Sequence, residues 1–106
     1  MKMMRVRSSL PDVSVLHVRE GQGYVIGRAV DNDIVLSRRE VSRYHAEIDS
    51  DGLQTWVRDL GSRNGTWLNG EPLKGYGELK SGDVLQLGGN IAFRIKLLEP
   101  CSLGRV

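Results

Sequence analysis

The chain has 106 residues, with 15 Lys and Arg against 13 Asp and Glu and 40% hydrophobic content. One domain fits that length, and that apolar content excludes a wholly disordered chain. A formal net charge of +2 is too balanced to make a general nucleic-acid binder the leading reading, and 6% aromatic residues are too few to suggest a single-strand stacking platform.

The opening Met1-Lys2-Met3-Met4-Arg5 lacks the apolar stretch of a secretory signal, and no later run reaches membrane-spanning length. The expectation is a cytoplasmic protein with no membrane partner and no nucleic-acid partner. No stretch of helical length keeps an apolar stripe at 3.6-residue spacing. Short alternating runs predict strands over 3–8, 13–18, 24–26, 34–36, 45–49, 55–59, 66–68 and 83–87. The clearest follows at Ile91-Ala92-Phe93-Arg94-Ile95-Lys96-Leu97, whose odd positions are apolar and whose even positions include Arg and Lys. Asp51-Gly52, Gly61-Ser62, Asn64-Gly65, Asn69-Gly70 and Ser81-Gly82 separate the runs and mark chain reversals. This is the pattern of an all-β sandwich. Residues 1–98 are expected to form the domain, and 99–106 a flexible tail without alternation. The tail holds Cys101, the one cysteine, which excludes an intramolecular disulfide and a cysteine-rich zinc site.

Catalysis finds no footing in the sequence. His17 and His45 are far apart and have no carboxylate at ligand spacing, so neither a metal nor a cofactor is expected. Gly21, Gly23 and Gly27 do not have the dinucleotide-loop spacing, and no helix follows them. Three turn-rich segments are more informative. Gly27-Arg28 closes a strand and projects a guanidinium whose planar fork suits phosphate oxygens; a salt bridge to Asp31 or Asp33 is the alternative. In Val41-Ser42-Arg43-Tyr44-His45-Ala46, Ser42 offers a neutral hydroxyl, Arg43 a second cation, and His45 two ring nitrogens to brace the loop. In Asp59-Leu60-Gly61-Ser62-Arg63-Asn64-Gly65-Thr66, the Asn64 amide can both donate to and accept from an extended peptide, unless Asn64-Gly65 is simply a hairpin turn.

Taken in order and spacing, these segments resemble the forkhead-associated (FHA) domain family. The match runs from Tyr24 to about Leu98, through Ile26-Gly27-Arg28, Asn32-Asp33-Ile34-Val35-Leu36, the Ser42 and Asn64 segments, and Gly82-Asp83-Val84-Leu85-Gln86-Leu87-Gly88. The resemblance implies an eleven-stranded sandwich of two antiparallel or mixed sheets with ligand loops at one end. It implies phosphothreonine-peptide binding, with Arg28, Ser42 and Arg43 on the phosphate and Asn64 on the peptide main chain. Ser62 and Arg63, in the same ligand loop, complete the expected phosphothreonine-peptide-binding set, while Gly27, His45 and Gly65 match framework positions. Arg63 stands where many relatives carry Thr. Glu40 lies where relatives read the third residue after the phosphothreonine, and an acid there is expected to disfavour Asp or Glu in the ligand. The implied partners are phosphothreonine proteins and the Ser/Thr kinases acting on them, with the module a monomer or a phospho-dependent oligomer. The alternative is a phosphate-independent scaffold on the same sandwich, against which the joint presence of Arg28, Ser42 and Asn64 speaks.

Overall fold

The structure, a computed structural model, describes residues 14–99. Ten strands follow one another: β1 (Ser14–Arg19), β2 (Tyr24–Gly27), β3 (Ile34–Val35), β4 (Ala46–Ser50), β5 (Thr55–Asp59), β6 (Thr66–Leu68), β7 (Glu71–Pro72), β8 (Tyr76–Glu78), β9 (Val84–Leu87) and β10 (Ile91–Leu98). They form two five-stranded sheets, ordered β1-β10-β9-β6-β7 and β3-β2-β4-β5-β8. Both sheets are mixed, because β1 runs parallel to β10 and β3 parallel to β2 while the other pairs are antiparallel.

The expected all-β sandwich is present, with ten strands among the described residues rather than eleven. The strand expected over 3–8 lies outside the described residues, as do 100–106 of the tail. Each other expected strand begins and ends within one residue of an observed one. Two observed strands had no counterpart in the sequence reading. β7 is a two-residue edge containing Pro72, and β8 is a three-residue edge centred on Gly77, so neither is long enough to show alternation.

Alternation builds the core. Along β10, Ile91 and Ile95 point inwards while Arg94 and Lys96 stay in solvent. Val18, Leu85, Leu87 and Ile95 from one sheet meet Ile26, Ile48 and Val57 from the other, with Ala46 and Leu79 completing the cluster. Fully burying one such side chain is worth about 1.5–3 kcal/mol.

The turns follow from local chemistry. Asn69 and Gly70 both have positive φ, 52° and 86°, which makes the β6–β7 link a two-residue type I′ turn. At the β4–β5 reversal, the Asp51 carboxylate accepts the N–H groups of Leu53 and Gln54, each at 2.8 Å. Those hydrogen bonds hold its carboxyl below the usual range.

Register decides where the connecting loops emerge. Ile26 on β2 pairs with Ala46 at the start of β4, Ala46 pairs with Asp59 at the end of β5, and Leu87 at the end of β9 pairs with Thr66 at the start of β6. The links 28–33, 36–45, 60–65 and 88–90 therefore gather at one end of the sandwich.

Candidate functional site

Arg28 and Ser42 are joined through backbone. The Arg28 N–H donates to the Ser42 carbonyl at 3.0 Å, and the next N–H, of Ala29, donates to the Arg43 carbonyl at 3.2 Å. The exposed Arg28 side chain then gives its Nε–H to the Val41 carbonyl at 2.9 Å. One of five guanidinium donors is thus spent on orientation, and the outer nitrogens remain for an anion. Neither carboxylate proposed as an alternative partner pairs with Arg28. Asp33 accepts the Val25 N–H at 2.8 Å, and Asp31 takes the Tyr44 hydroxyl at 3.0 Å. That hydrogen bond, with the charge of Asp31, raises the Tyr44 phenol above its ordinary value.

Gly27 makes this junction possible. A Cβ at this position would run into the carbonyl group of Arg43 and come within 2.8 Å of Asn32 Nδ2. Asn32 ties the same place together, donating from Nδ2 to the carbonyls of Arg43 at 2.7 Å and Ala29 at 3.0 Å. With two carbonyls facing that nitrogen, the amide can sit only one way round.

Ser42 is aimed by its neighbours. Its Oγ accepts the Arg63 N–H at 2.9 Å, which leaves the hydroxyl hydrogen to donate elsewhere. Its own N–H donates to His45 Nδ1 at 3.0 Å. Nδ1 must therefore be the unprotonated nitrogen, so Nε2 carries the hydrogen and donates to the Gly65 carbonyl at 2.8 Å. Fully buried, His45 braces the Ser42 and Asn64 loops together in one fixed tautomer.

The 60–65 loop is organised by Asp59. Its carboxylate accepts the Ser62 N–H at 2.8 Å, the Ser62 hydroxyl, and the hydroxyl of buried Thr66 at 2.6 Å. Burial pushes the Asp59 carboxyl up, but hydrogen bonds from Ser62, Thr66 and Gly61 outweigh that and hold it below the usual value. Ser62 also accepts the Gly65 N–H at 3.0 Å. Its side chain faces into the loop as a support, unlike Ser42, whose hydrogen is free.

Asn64-Gly65 is not a hairpin turn, because β5 and β6 lie in different sheets. The Asn64 Nδ2 reaches across to the Glu40 carbonyl at 2.9 Å and latches the two loops. Gly65 has φ 93°, and its carbonyl also receives the Gly88 N–H at 3.0 Å, which brings in the β9–β10 link. The structure thus brings Gly27, Arg28, Ser42, Arg43, His45, Ser62, Arg63, Asn64 and Gly65 to one end, with the side chains of Arg28, Arg43, Arg63 and Asn64 exposed. Two contributors were not anticipated as site residues, Asn32 and Asp59. Asp59 was findable, since an Asp three residues before a Ser in a Gly-containing turn is the pattern of a side chain capping its own loop.

Comparison with known proteins places these features in a family. The FHA domain model matches residues 24–88. The chain is 48% identical over 73 residues to the oxoglutarate dehydrogenase inhibitor of Corynebacterium jeikeium, covering 69% of this chain and about half, 48%, of that protein. Among solved structures, Mycobacterium tuberculosis EmbR in complex with a low-affinity phosphopeptide superposes with a TM-score of 0.68 at 32% identity, over 76% of this chain and 21% of EmbR. The FhaA FHA domain, solved with the intracellular domain of Rv3910, gives 0.61 at 42% identity, over 67% of this chain and 76% of that one.

Proposed function

The chain belongs to the FHA domain family, and we propose that its loop end binds phosphothreonine peptides and recruits the proteins that carry them, without catalysing a reaction. One observation carries the reading. Arg28 and Ser42 are hydrogen-bonded neighbours that both keep donors unspent, the guanidinium outer nitrogens and the hydroxyl hydrogen. A phosphothreonine brings nearly two negative charges and three acceptor oxygens; of these, Arg28 offsets one charge and donates through its outer nitrogens, while Ser42 adds a neutral donor. Arg43 and Arg63 add exposed cations beside them, and Asn64 keeps its Oδ1 for a ligand main-chain N–H. Ser62 supports the loop from within.

The phosphothreonine comes from outside these residues. The chain's two threonines, Thr55 and Thr66, are only 1% and 3% exposed, so a kinase cannot reach them in the folded domain. The partners are therefore Ser/Thr-kinase substrates or phosphorylated kinases, met in the compartment where such kinases act. Glu40, whose carbonyl holds Asn64, flanks the path of the ligand residues after the phosphothreonine and selects against acidic ones.

Calorimetric titration tests this with matched phosphothreonine, phosphoserine and threonine peptides drawn from an oriented library. The phosphothreonine form should bind, the unphosphorylated form should not, and Arg28→Ala should weaken binding at least a hundredfold. Equal affinity for the phosphorylated and unphosphorylated peptides would overturn the reading and favour a phosphate-independent scaffold.

A further inference from the structure

The outer face of the β4-β5-β8 sheet carries a second feature that the phosphopeptide site does not use. A depression of about 290 Å³ is lined there by Glu47, Asp49, Trp56, Val57, Arg58 and Tyr76. Cross-strand register orders the side chains of this face, including Glu78 beside the depression, in two rows. Asp49, Trp56 and Glu78 lie opposite one another across three strands, and so do Glu47, Arg58 and Tyr76. Strand alternation puts both rows on the face away from the core, where Tyr76 is 68% exposed.

Charge decides what such a face can hold. Arg58 is already engaged, since its Nη2 lies 2.8 Å and its Nε 2.9 Å from the same Glu47 oxygen. Among the described residues neither Asp49 nor Glu78 takes part in a salt bridge, so the face carries two carboxylates in excess. They are the register partners of Trp56 on the two neighbouring strands, where directly opposed Cβ atoms stand roughly 4.5–5.5 Å apart. An indole face attracts a cation through its quadrupole, and a carboxylate on each side adds to that attraction. An anion or an acidic segment would be repelled.

We propose that this face docks a lysine- or arginine-bearing segment of a partner protein, with one cationic side chain seated on Trp56 between Asp49 and Glu78. The seat is separate from the phosphate end: Asp49 is three residues along β4 from Ala46, about 10 Å at ~3.3 Å per residue. A partner can therefore engage both sites at once, its phosphothreonine at the loops and its basic segment on the sheet.

The test is an NMR titration of the ¹⁵N-labelled domain with a capped Gly-Arg-Lys-Arg-Gly peptide, using a peptide with glutamate in place of the basic residues as control. Expected is a saturable shift of the Trp56 indole N–H and the Asp49 and Glu78 amides, with the Trp67 indole unmoved. The D49N/E78Q double variant, exposed and conservative, should bind the basic peptide about fivefold or more weakly. Its phosphothreonine affinity should stay unchanged, and Arg28→Ala should leave basic-peptide binding intact. Shifts absent at Trp56, equal binding by the double variant, or equal binding of the acidic peptide would overturn the proposal. So would Trp56 shifts that follow protein concentration alone, which would make a second copy of the chain the occupant. None of these results bears on the phosphothreonine site, which Arg28→Ala reports separately.

Discussion

At Ser42 the Arg63 N–H occupies one lone pair of the hydroxyl, so the hydroxyl hydrogen is left to donate to a ligand, in a residue tied to Arg28 through backbone. Ser42→Ala removes a hydrogen bond to a charged group, worth about 1.5–3 kcal/mol. Phosphothreonine affinity should fall roughly ten- to hundredfold by calorimetry. The melting temperature should barely move, because the orphaned Arg63 N–H lies in an exposed loop that water can reach. Asp59 behaves in the opposite way, as a structural residue with a pH signature. Its folded carboxyl is held low by the hydroxyls of Ser62 and Thr66 and by loop N–H groups, so the stability it contributes is present above about pH 4. That contribution is lost as the pH falls through the lower folded value. Asp59→Asn should therefore lower stability at neutral pH and make the acid loss shallower in thermal melts run from pH 7 downward. The acid dependence that remains includes Asp51, which is held low by the Gln54 and Leu53 N–H groups.

On the scale of elements, strands were legible wherever they were long enough for alternation to show. β10 has eight residues and announced itself through Ile91, Phe93 and Ile95 against Arg94 and Lys96. β7 and β8 could not, since two or three residues carrying a proline or a glycine have no period to display. The site divides along the same line. Arg28, Ser42 and Asn64 are chemically distinctive types and stood out in turns. The groups that aim them are largely backbone carbonyls, of Val41, Glu40, Arg43 and Gly65, and a sequence carries no mark of which carbonyl will face which donor. Even Gly27 read only as a framework glycine, whereas its role is to let the end of β2 press against the Arg43 carbonyl. Gly27→Ala should force β2 and the 36–45 loop apart. An overpacking cost of about 1–3 kcal/mol is expected in denaturant melts. Because Arg28 and Ser42 then separate, phosphothreonine affinity should fall much further than the stability loss alone would suggest.

Across the whole molecule, a net charge of only +2 conceals an uneven distribution. Arg28, Arg43 and Arg63 crowd the loop end, while Asp49 and Glu78 stand in excess on the outer sheet face. The three arginines cannot contribute alike. Arg28 is pinned to Val41, whereas the described part of the structure gives the Arg63 side chain no anchor, its loop being held through its backbone N–H to Ser42. An unanchored exposed cation acts on a phosphate at range, and at physiological salt the Debye length is about 8 Å, so most of that action is screened. Arg63→Thr keeps the N–H that orients Ser42, removes the unanchored charge and puts a short hydroxyl in its place. Its affinity for a phosphothreonine peptide should lie within about fivefold of the parent at physiological salt. The association rate should drop and the salt dependence should flatten, since long-range charge governs encounter more than residence. Stopped-flow binding across a salt series separates the two outcomes. If Arg63→Thr instead raises the dissociation rate at high salt, the Arg63 guanidinium touches the phosphate directly and the loop end grips it with one more fixed cation than Arg28 supplies.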